Sequence, residues 1–279
     1  MKKIKTLLLA IPFILCSCEE KEVNKLVKKI TTYEADGTLY TTEEFAYDDQ
    51  GREISIVESY YENGKVDSSY STEIAYSGDL EIYNIEKSYN EKTNTWEKMG
   101  IVYYTYDEND CMICRNSIGY RDNKESSHSI SFYRYDENKN LISYESFVPN
   151  DNSLVLYSRT VFEYNDKNLL VSETLLFNEE DSLEFGVKTV YSYNDKNEKI
   201  KEEEYFGDES QVSSYTTYTY EASCNTEMSY AVYDDEPEKL KIKNEYLLDS
   251  DGRISKHNYY HLDDEGKQLE LDYYEIYEY

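Results

Sequence analysis

Several ingredients are scarce in this 279-residue chain. It has 3 prolines and 10 glycines. It has no extended Gly/Ser stretch, so nothing marks an internal linker or domain boundary. Basic residues number 29 against 58 acidic ones, and such a surface repels nucleic acid and anionic lipid headgroups. Histidine is limited to His128, His257 and His261. His257 and His261 stand four apart, a zinc spacing on a helix but a poor one on a strand, so surface histidines are expected there. No nucleophile elbow and no Gly-rich phosphate loop occur. Carboxylates are so abundant that no glycosidase dyad stands out. The apolar run Leu7–Leu15 is nine residues long, against the roughly 20 that a transmembrane helix needs.

That short run has a different meaning at the amino terminus. Lys2, Lys3 and Lys5 precede it, and "LCSC" (Leu15–Cys18) follows it. The arrangement resembles a bacterial lipoprotein signal peptide over residues 1–17, with a lipobox ending at Cys18 as the lipidated residue. Cys16 fits less well, because Leu15 would then occupy the cleavage position. Residues 18–29 would form the lipidated terminus and a short tether. The resemblance implies stable anchoring in the outer membrane or at the cell surface, with the membrane as a partner through several acyl chains. The acidic residues after Cys18 resemble a surface-export signal. Losing Lys2, Lys3 and Lys5 leaves 26 basic residues against 58 acidic ones and moves the formal charge from −29 to −32.

What is abundant is tyrosine, with 33 copies. Tyrosine favours strands and has a polar tip, so it suits a half-wet sheet surface. Its placement is periodic. Tyr47, Tyr76, Tyr106, Tyr135, Tyr164, Tyr193, Tyr220 and the aliphatic Leu248 follow one another at intervals of 29, 30, 29, 29, 29, 27 and 28. Two residues before each anchor stands Phe45, Ile74, Tyr104, Tyr133, Phe162, Tyr191, Tyr218 or Tyr246. That spacing puts both side chains on one face of a strand. Polar turns such as "YDDQGREI" and "YDENKNLI" follow the anchors, and a second turn falls near each half period, as in "YENGKV".

These features predict an all-β domain over residues 30–279, an antiparallel up-and-down meander of hairpins with about 16 to 18 strands. The expected form is an elongated or curled single sheet, solenoid-like, roughly 80 Å long if flat. Aromatic ladders between units would stabilise it. Nothing in the pattern favours closure.

The phrases "YDDQGREI", "YEADGTL" and "LDSDGRI" resemble YD, or RHS, repeats, and "YYENGKV" is similar to a MORN-variant repeat. The resemblance implies β-hairpin repeats stacked into a curved sheet. Asn138, Asn168 and Asn197 stand near the place of the missing turn glycine. Large RHS proteins enclose a toxin. This chain is far shorter, so that role does not carry over.

Few residues are candidates for chemistry. Cys111 and Cys114 have redox or zinc spacing. The repeat register puts them where a turn enters a strand, with side chains on opposite faces. A disulfide between them stays open. Asp249 and Asp251, in "DSDG", are candidates for calcium, although the turn alone explains them. The same holds for "DDEG" (Asp263–Gly266). Trp96 is a candidate for stacking on a sugar, against the plainer role of a packed cap. No catalytic residue and no cofactor is expected. The favoured function is a non-catalytic, lipid-anchored envelope protein that presents an acidic, Tyr-rich sheet to protein or glycan. A glycan-active hydrolase with scattered carboxylates is the alternative, and an immunity or antitoxin-like partner is a third reading.

Overall fold

A computed structural model describes residues 26–150, 153–179, 182–207, 211–233, 236–263 and 268–279. The expected signal peptide, Cys16, Cys18, most of the expected tether and part of the Asp263–Gly266 stretch lie outside the described residues. The strands are β1 (Lys29–Glu34), β2 (Leu39–Tyr47), β3 (Glu53–Glu62), β4 (Lys65–Ser77), β5 (Leu80–Asn90), β6 (Thr95–Tyr106), β7 (Met112–Arg121), β8 (Lys124–Tyr135) and β9 (Leu141–Asn150). They continue as β10 (Ser153–Tyr164), β11 (Leu170–Glu179), β12 (Ser182–Tyr193), β13 (Lys199–Phe206), β14 (Ser214–Tyr220), β15 (Cys224–Tyr233), β16 (Glu236–Leu248), β17 (Ile254–Leu262) and β18 (Leu269–Glu278).

Each strand pairs antiparallel with its successor, and β1 also pairs with β18, from Lys29↔Glu278 to Glu34↔Tyr273. The sheet is therefore a closed 18-stranded barrel, and the expected open or curled solenoid is corrected. Closure removes both edges, which would otherwise leave rows of unpaired amides and carbonyls. Eighteen strands about 4.8 Å apart and tilted by about 40° give a diameter of roughly 35 Å, wide enough for an aqueous lumen. Among the described residues Ile101 and Val102 are the only buried hydrophobic side chains. The wall is thus wetted on both faces rather than folded around a dry core.

The periodic tyrosines hold one rim. A register shift sits beside six of the anchors, from Tyr47 to Tyr193, so two residues of the following odd-numbered strand oppose one of the even strand. The extra residue is the recurrent aliphatic one, Ile54, Ile82, Ile113, Ile142, Val171 or Ile200, a β-bulge that bends the wall. In six of the seven anchor tyrosines the hydroxyl reaches a backbone carbonyl at, or just before, the start of the odd strand before it. Tyr76 donates to Glu53 (2.8 Å), Tyr135 to Met112 (2.9 Å), Tyr164 to Leu141 (3.0 Å) and Tyr193 to Leu170 (2.7 Å). Tyr47, Tyr220 and Tyr279 do the same with Val27, Lys199 and Ile254. The anchors form a girdle of hydroxyl–carbonyl bonds, not the ring-on-ring ladder that periodicity suggests, because an intervening strand separates consecutive units.

The turns at this rim share one chemistry. The Asp136 carboxylate accepts the amides of Asn138 and Asn140, both at 2.8 Å, and the Lys139 amide donates to the Asp136 carbonyl. Hydrogen bonds from the Asn140 side chain and these amides hold the Asp136 carboxyl below its ordinary range. The fourth turn residue has positive φ, as at Gly51 (73°), Lys139 (64°), Asn168 (58°) and Asn197 (64°). Asn168 and Asn197 thus take the glycine's place, but Lys139 does so rather than Asn138. At the opposite rim, Asn63–Gly64 and Asp122–Asn123 have positive φ at both positions, the hairpin geometry that matches strand twist.

Candidate functional site: a belt inside the barrel

Residues directly opposed across strands share a face. Following the register around the ring puts the residue two before each anchor opposite a residue of the next odd strand. The pairs are Phe45↔Ile56, Ile74↔Asn84, Tyr104↔Arg115, Tyr133↔Tyr144, Phe162↔Glu173, Tyr191↔Glu202, Tyr218↔Glu227 and Tyr246↔His257.

This face is the crowded one. On β8, Ser131 is buried and Tyr133 and Tyr135 are half-buried, whereas Phe132 and Arg134 on the other face are exposed. Side chains converge on the concave side of a closed sheet and splay on the convex side. Convergence is direct here: Glu43 and Glu275, on the two strands flanking β1, repel each other. The belt therefore lines the lumen.

One position of the belt varies around the ring. The scaffold presents Ile56, Asn84, Arg115, Tyr144, Glu173, Glu202, Glu227 and His257 in equivalent slots on alternate strands. Six of the eight lie nine residues after their anchor, and Asn84 and Glu227 lie eight and seven after theirs. That fixed offset was available in the sequence. A search for recurring residues passes over it, because the slot is defined by place and not by identity.

The slots divide the lumen into two arcs. From β6 to β10 the belt is aromatic and neutral, apart from Arg115. The Tyr144 ring lies 5.4 Å from Tyr133 and 6.1 Å from Phe162. Arg115 bonds the Tyr104 hydroxyl, which also accepts from Asn84 Nδ2 at 3.0 Å. From β11 onwards each tyrosine meets a carboxylate. Tyr191 bonds Glu173, Tyr218 bonds Glu202, and Tyr246 contacts Glu227 at 3.4 Å. Burial first, and then neighbouring carboxylates, push these phenols up from their ordinary range. Lys199 enters this arc: its Nζ donates to Glu202 at 2.8 Å and lies 4.3 Å over the Tyr218 ring. His257 stacks on Tyr246 at 4.5 Å and bonds Glu275 and Asn244. It is 8% exposed, so it is a lumen residue and not the surface histidine expected from sequence.

The acidic arc continues into β2 and β3. Glu43 lies directly opposite Glu58. Burial, reinforced by Glu58, Glu275 and Glu53, pushes the Glu43 carboxyl up to about 7. Burial also raises Glu53 and Glu227.

The sequence candidates lie elsewhere. Trp96 belongs to β6. It faces outward, edge-on to Tyr89 at 5.3 Å, and is 41% exposed. The Asp249 carboxylate accepts the amides of Asp251 and Arg253, both at 2.9 Å, and also Arg253 Nε at 2.9 Å. Asp251 lies 3.1 Å from the same guanidinium. Turn and arginine thus occupy the oxygens that calcium would need. Cys111 closes a turn, with its amide on Asp107. Cys114 faces outward opposite Phe132 and Thr105. Both cysteines are free.

No protein-family model matches the chain, and no curated protein does. Among solved structures, a porin-like protein from Bacteroides uniformis is similar at 11% identity, covering 90% of this chain and 97% of that one, with a TM-score of 0.49. TcdB2-TccC3 is similar at 13% identity over 87% of this chain, which spans only 15% of that one, with a TM-score of 0.37. A porin-like protein from Bacteroides vulgatus is similar at 12% identity, covering 70% of this chain and 98% of that one, with a TM-score of 0.30. None of these TM-scores reaches 0.5, so the functional reading rests on the chain's own walls.

Proposed function

We propose that the protein is a non-catalytic, lipid-anchored barrel of the cell envelope, built from YD-like hairpin units, whose lumen wall contacts a protein or glycan. The observation that carries this reading is the divided belt, which places exchangeable side chains on a repeated scaffold inside a wide, wet lumen. The address rests on the signal residues before Cys18 and on the outward face. A barrel embedded in lipid needs an apolar outer band, and each lysine or arginine at mid-membrane costs about 2–4 kcal/mol. Here the outside carries Lys87–Glu73 (2.5 Å), Lys201–Glu203 (2.7 Å), Lys243–Glu245 (2.6 Å) and Arg159–Glu145. This favours a barrel standing in water and held at the outer membrane or cell surface by its lipid.

Two measurements test the proposal. Cys18→Ser should move the protein from the membrane to the soluble fraction, and an unchanged membrane fraction would remove the anchor. Glycan-array and pull-down screens should recover a partner whose binding falls on Tyr144→Glu and not on the outward Glu203→Gln. Loss on Glu203→Gln alone would move the contact outside.

A hydrolytic reading rests on Glu43. A carboxyl that burial raises to about 7, directly opposite the side chain of Glu58, is the kind of group an acid–base mechanism uses. Release of reducing sugar from an envelope glycan, abolished by Glu43→Gln, would support it. No turnover on any glycan that binds would remove it.

A further inference from the structure

We propose that Arg115 and Tyr104 anchor a single carboxylate of the molecule that the lumen receives, and that this molecule is a glycan carrying an isolated uronic acid. This deepens, and rests on, the reading of the lumen as a contact surface.

Three observations lead to it. The first is an arginine without a carboxylate. Acidic residues outnumber basic ones, 58 against 29, so a carboxylate is close at hand along most of the chain. Four of the six arginines have one: Arg52 with Asp48 (2.5 Å), Arg134 and Arg159 with Glu145, and Arg253 with Asp249 (2.8 Å). Arg121 is exposed at the end of β7. Arg115 is the one arginine of the lumen belt, and among the described residues no salt bridge pairs it. Asn84 Nδ2 stands between Tyr104 and the carboxylate of Glu81, bonding them at 3.0 and 2.9 Å.

The second is a surplus of donors at one place. The Tyr104 oxygen accepts from Arg115 and from Asn84. Both bonds use its lone pairs, so the phenol proton is left to be given away. A guanidinium carries five N–H donors in a planar fork that matches a carboxylate, and Tyr104 takes up only part of it. Arg115 also lies close enough to act on the phenol of Tyr133. A positive charge, spare N–H groups and a spare O–H therefore meet on the lumen wall, and an anion with two oxygens satisfies all three.

The third is the surroundings, which decide the class of ligand. Ser131 stands directly opposite Arg115 and Ser146 opposite Ser131, with the two hydroxyls 2.9 Å apart. Ser117 and Ser129 form the next pair along the wall, and Tyr133 and Tyr144 the pair on the other side. None of these six residues carries a charge. Hydroxyls and phenols side by side match a sugar, which has hydroxyls around its rim and apolar C–H faces. Further round, Glu173, Glu202 and Glu227 make the wall acidic and repel additional carboxylates on the ligand. One uronate is held, and a polyanion is turned away.

The test is calorimetric titration of the purified full-length protein in detergent. The probe is cellobiouronic acid, and the control is cellobiose, which differs only in having a hydroxymethyl group where the probe has its carboxylate. The acid should bind at least about tenfold more tightly than the neutral sugar. Arg115→Gln should abolish that preference, and Arg115→Lys, which keeps the charge and loses the fork, should retain about threefold of it. Arg134→Gln, on the outer wall, should leave it unchanged. Equal affinity for the two sugars, a preference that survives Arg115→Gln, or no binding of the acid below about 10 mM would each overturn the proposal. So would a free-acid tripeptide, Ala-Ala-Tyr, that outbinds its own amide while the two sugars stay equal, since the anchor would then serve a polypeptide terminus. The broader contact reading is judged separately, by the glycan and pull-down screens.

Discussion

The arc from β6 to β10 and the arc from β11 to β18 are made from the same strand-and-turn unit and face the same lumen. They share the tyrosine girdle, the bulges and the Asx-type turns. They differ in the slot residue opposite each aromatic. One arc offers Arg115, Tyr144 and an uninterrupted strip of rings. The other offers Glu173, Glu202 and Glu227 against tyrosine hydroxyls and His257 stacked on a tyrosine ring. The contrast separates two duties within one repeat. Backbone-directed bonds at the rim fix the shape, and that leaves the belt free to vary without loss of fold.

Exchange of slot residues should break the comparison most visibly. Tyr144→Glu puts a carboxylate between Tyr133 and Phe162 and removes both ring contacts, with an expected loss of about 2–4 kcal/mol in denaturant unfolding. Glu173→Tyr makes the reverse exchange. It removes a charge from an acidic wall and should change stability by less than about 1 kcal/mol. Equal losses would mean that the slots are not interchangeable seats.

The distinction between inside and outside is sharpened on one strand. Tyr135→Asp should cost about 2–3 kcal/mol, because it removes the bond to Met112 and a half-buried ring. Arg134→Asp, on an exposed residue, should cost under about 1 kcal/mol. Equal melting temperatures would reverse the face assignment.

The acidic arc has a pH signature that the aromatic arc lacks. The Glu43 carboxyl is raised from 4.5 to about 7 in the folded chain, so folding takes up a proton between those values. Stability should therefore fall as pH rises from 4.5 to 7 and stay low above that. Glu43→Gln should raise the Tm by about 2–5 °C at pH 8 and by little at pH 4.5. A gain independent of pH would contradict this. The smallest expected effect is at the rim. Lys139→Gly relieves a side chain held at φ 64° and should add about 0.5 kcal/mol.

Much of this architecture was legible in the sequence. The anchors gave the period, the polar runs gave the turns, and the aromatic, spacer, aromatic phrase gave the strand face. Closure was not legible. "KITTYE" in β1 and "LELDYYEIYE" in β18 read like any other rungs, and their meeting depends on curvature summed over 18 strands. Bulges supply that curvature, and a bulge is an offset between two strands that neither strand reveals alone. The girdle was hidden for a similar reason. Tyr135 and the carbonyl of Met112 are 23 residues apart, and a backbone acceptor leaves no mark in composition. The belt was hidden because its informative residue is the one that does not repeat. The surface expectation failed for His257, because its burial comes from its opposite neighbour Tyr246, which lies on another strand.

Native-state hydrogen exchange along Lys29–Glu34 tests the closed barrel most directly. Alternate amides of β1 point to β2 and to β18. Bonding on both sides predicts that both sets are protected. If the set facing β18 exchanges as fast as free amides while the other set stays slow, β1 is an edge, the sheet is open, and the lumen with its belt does not exist.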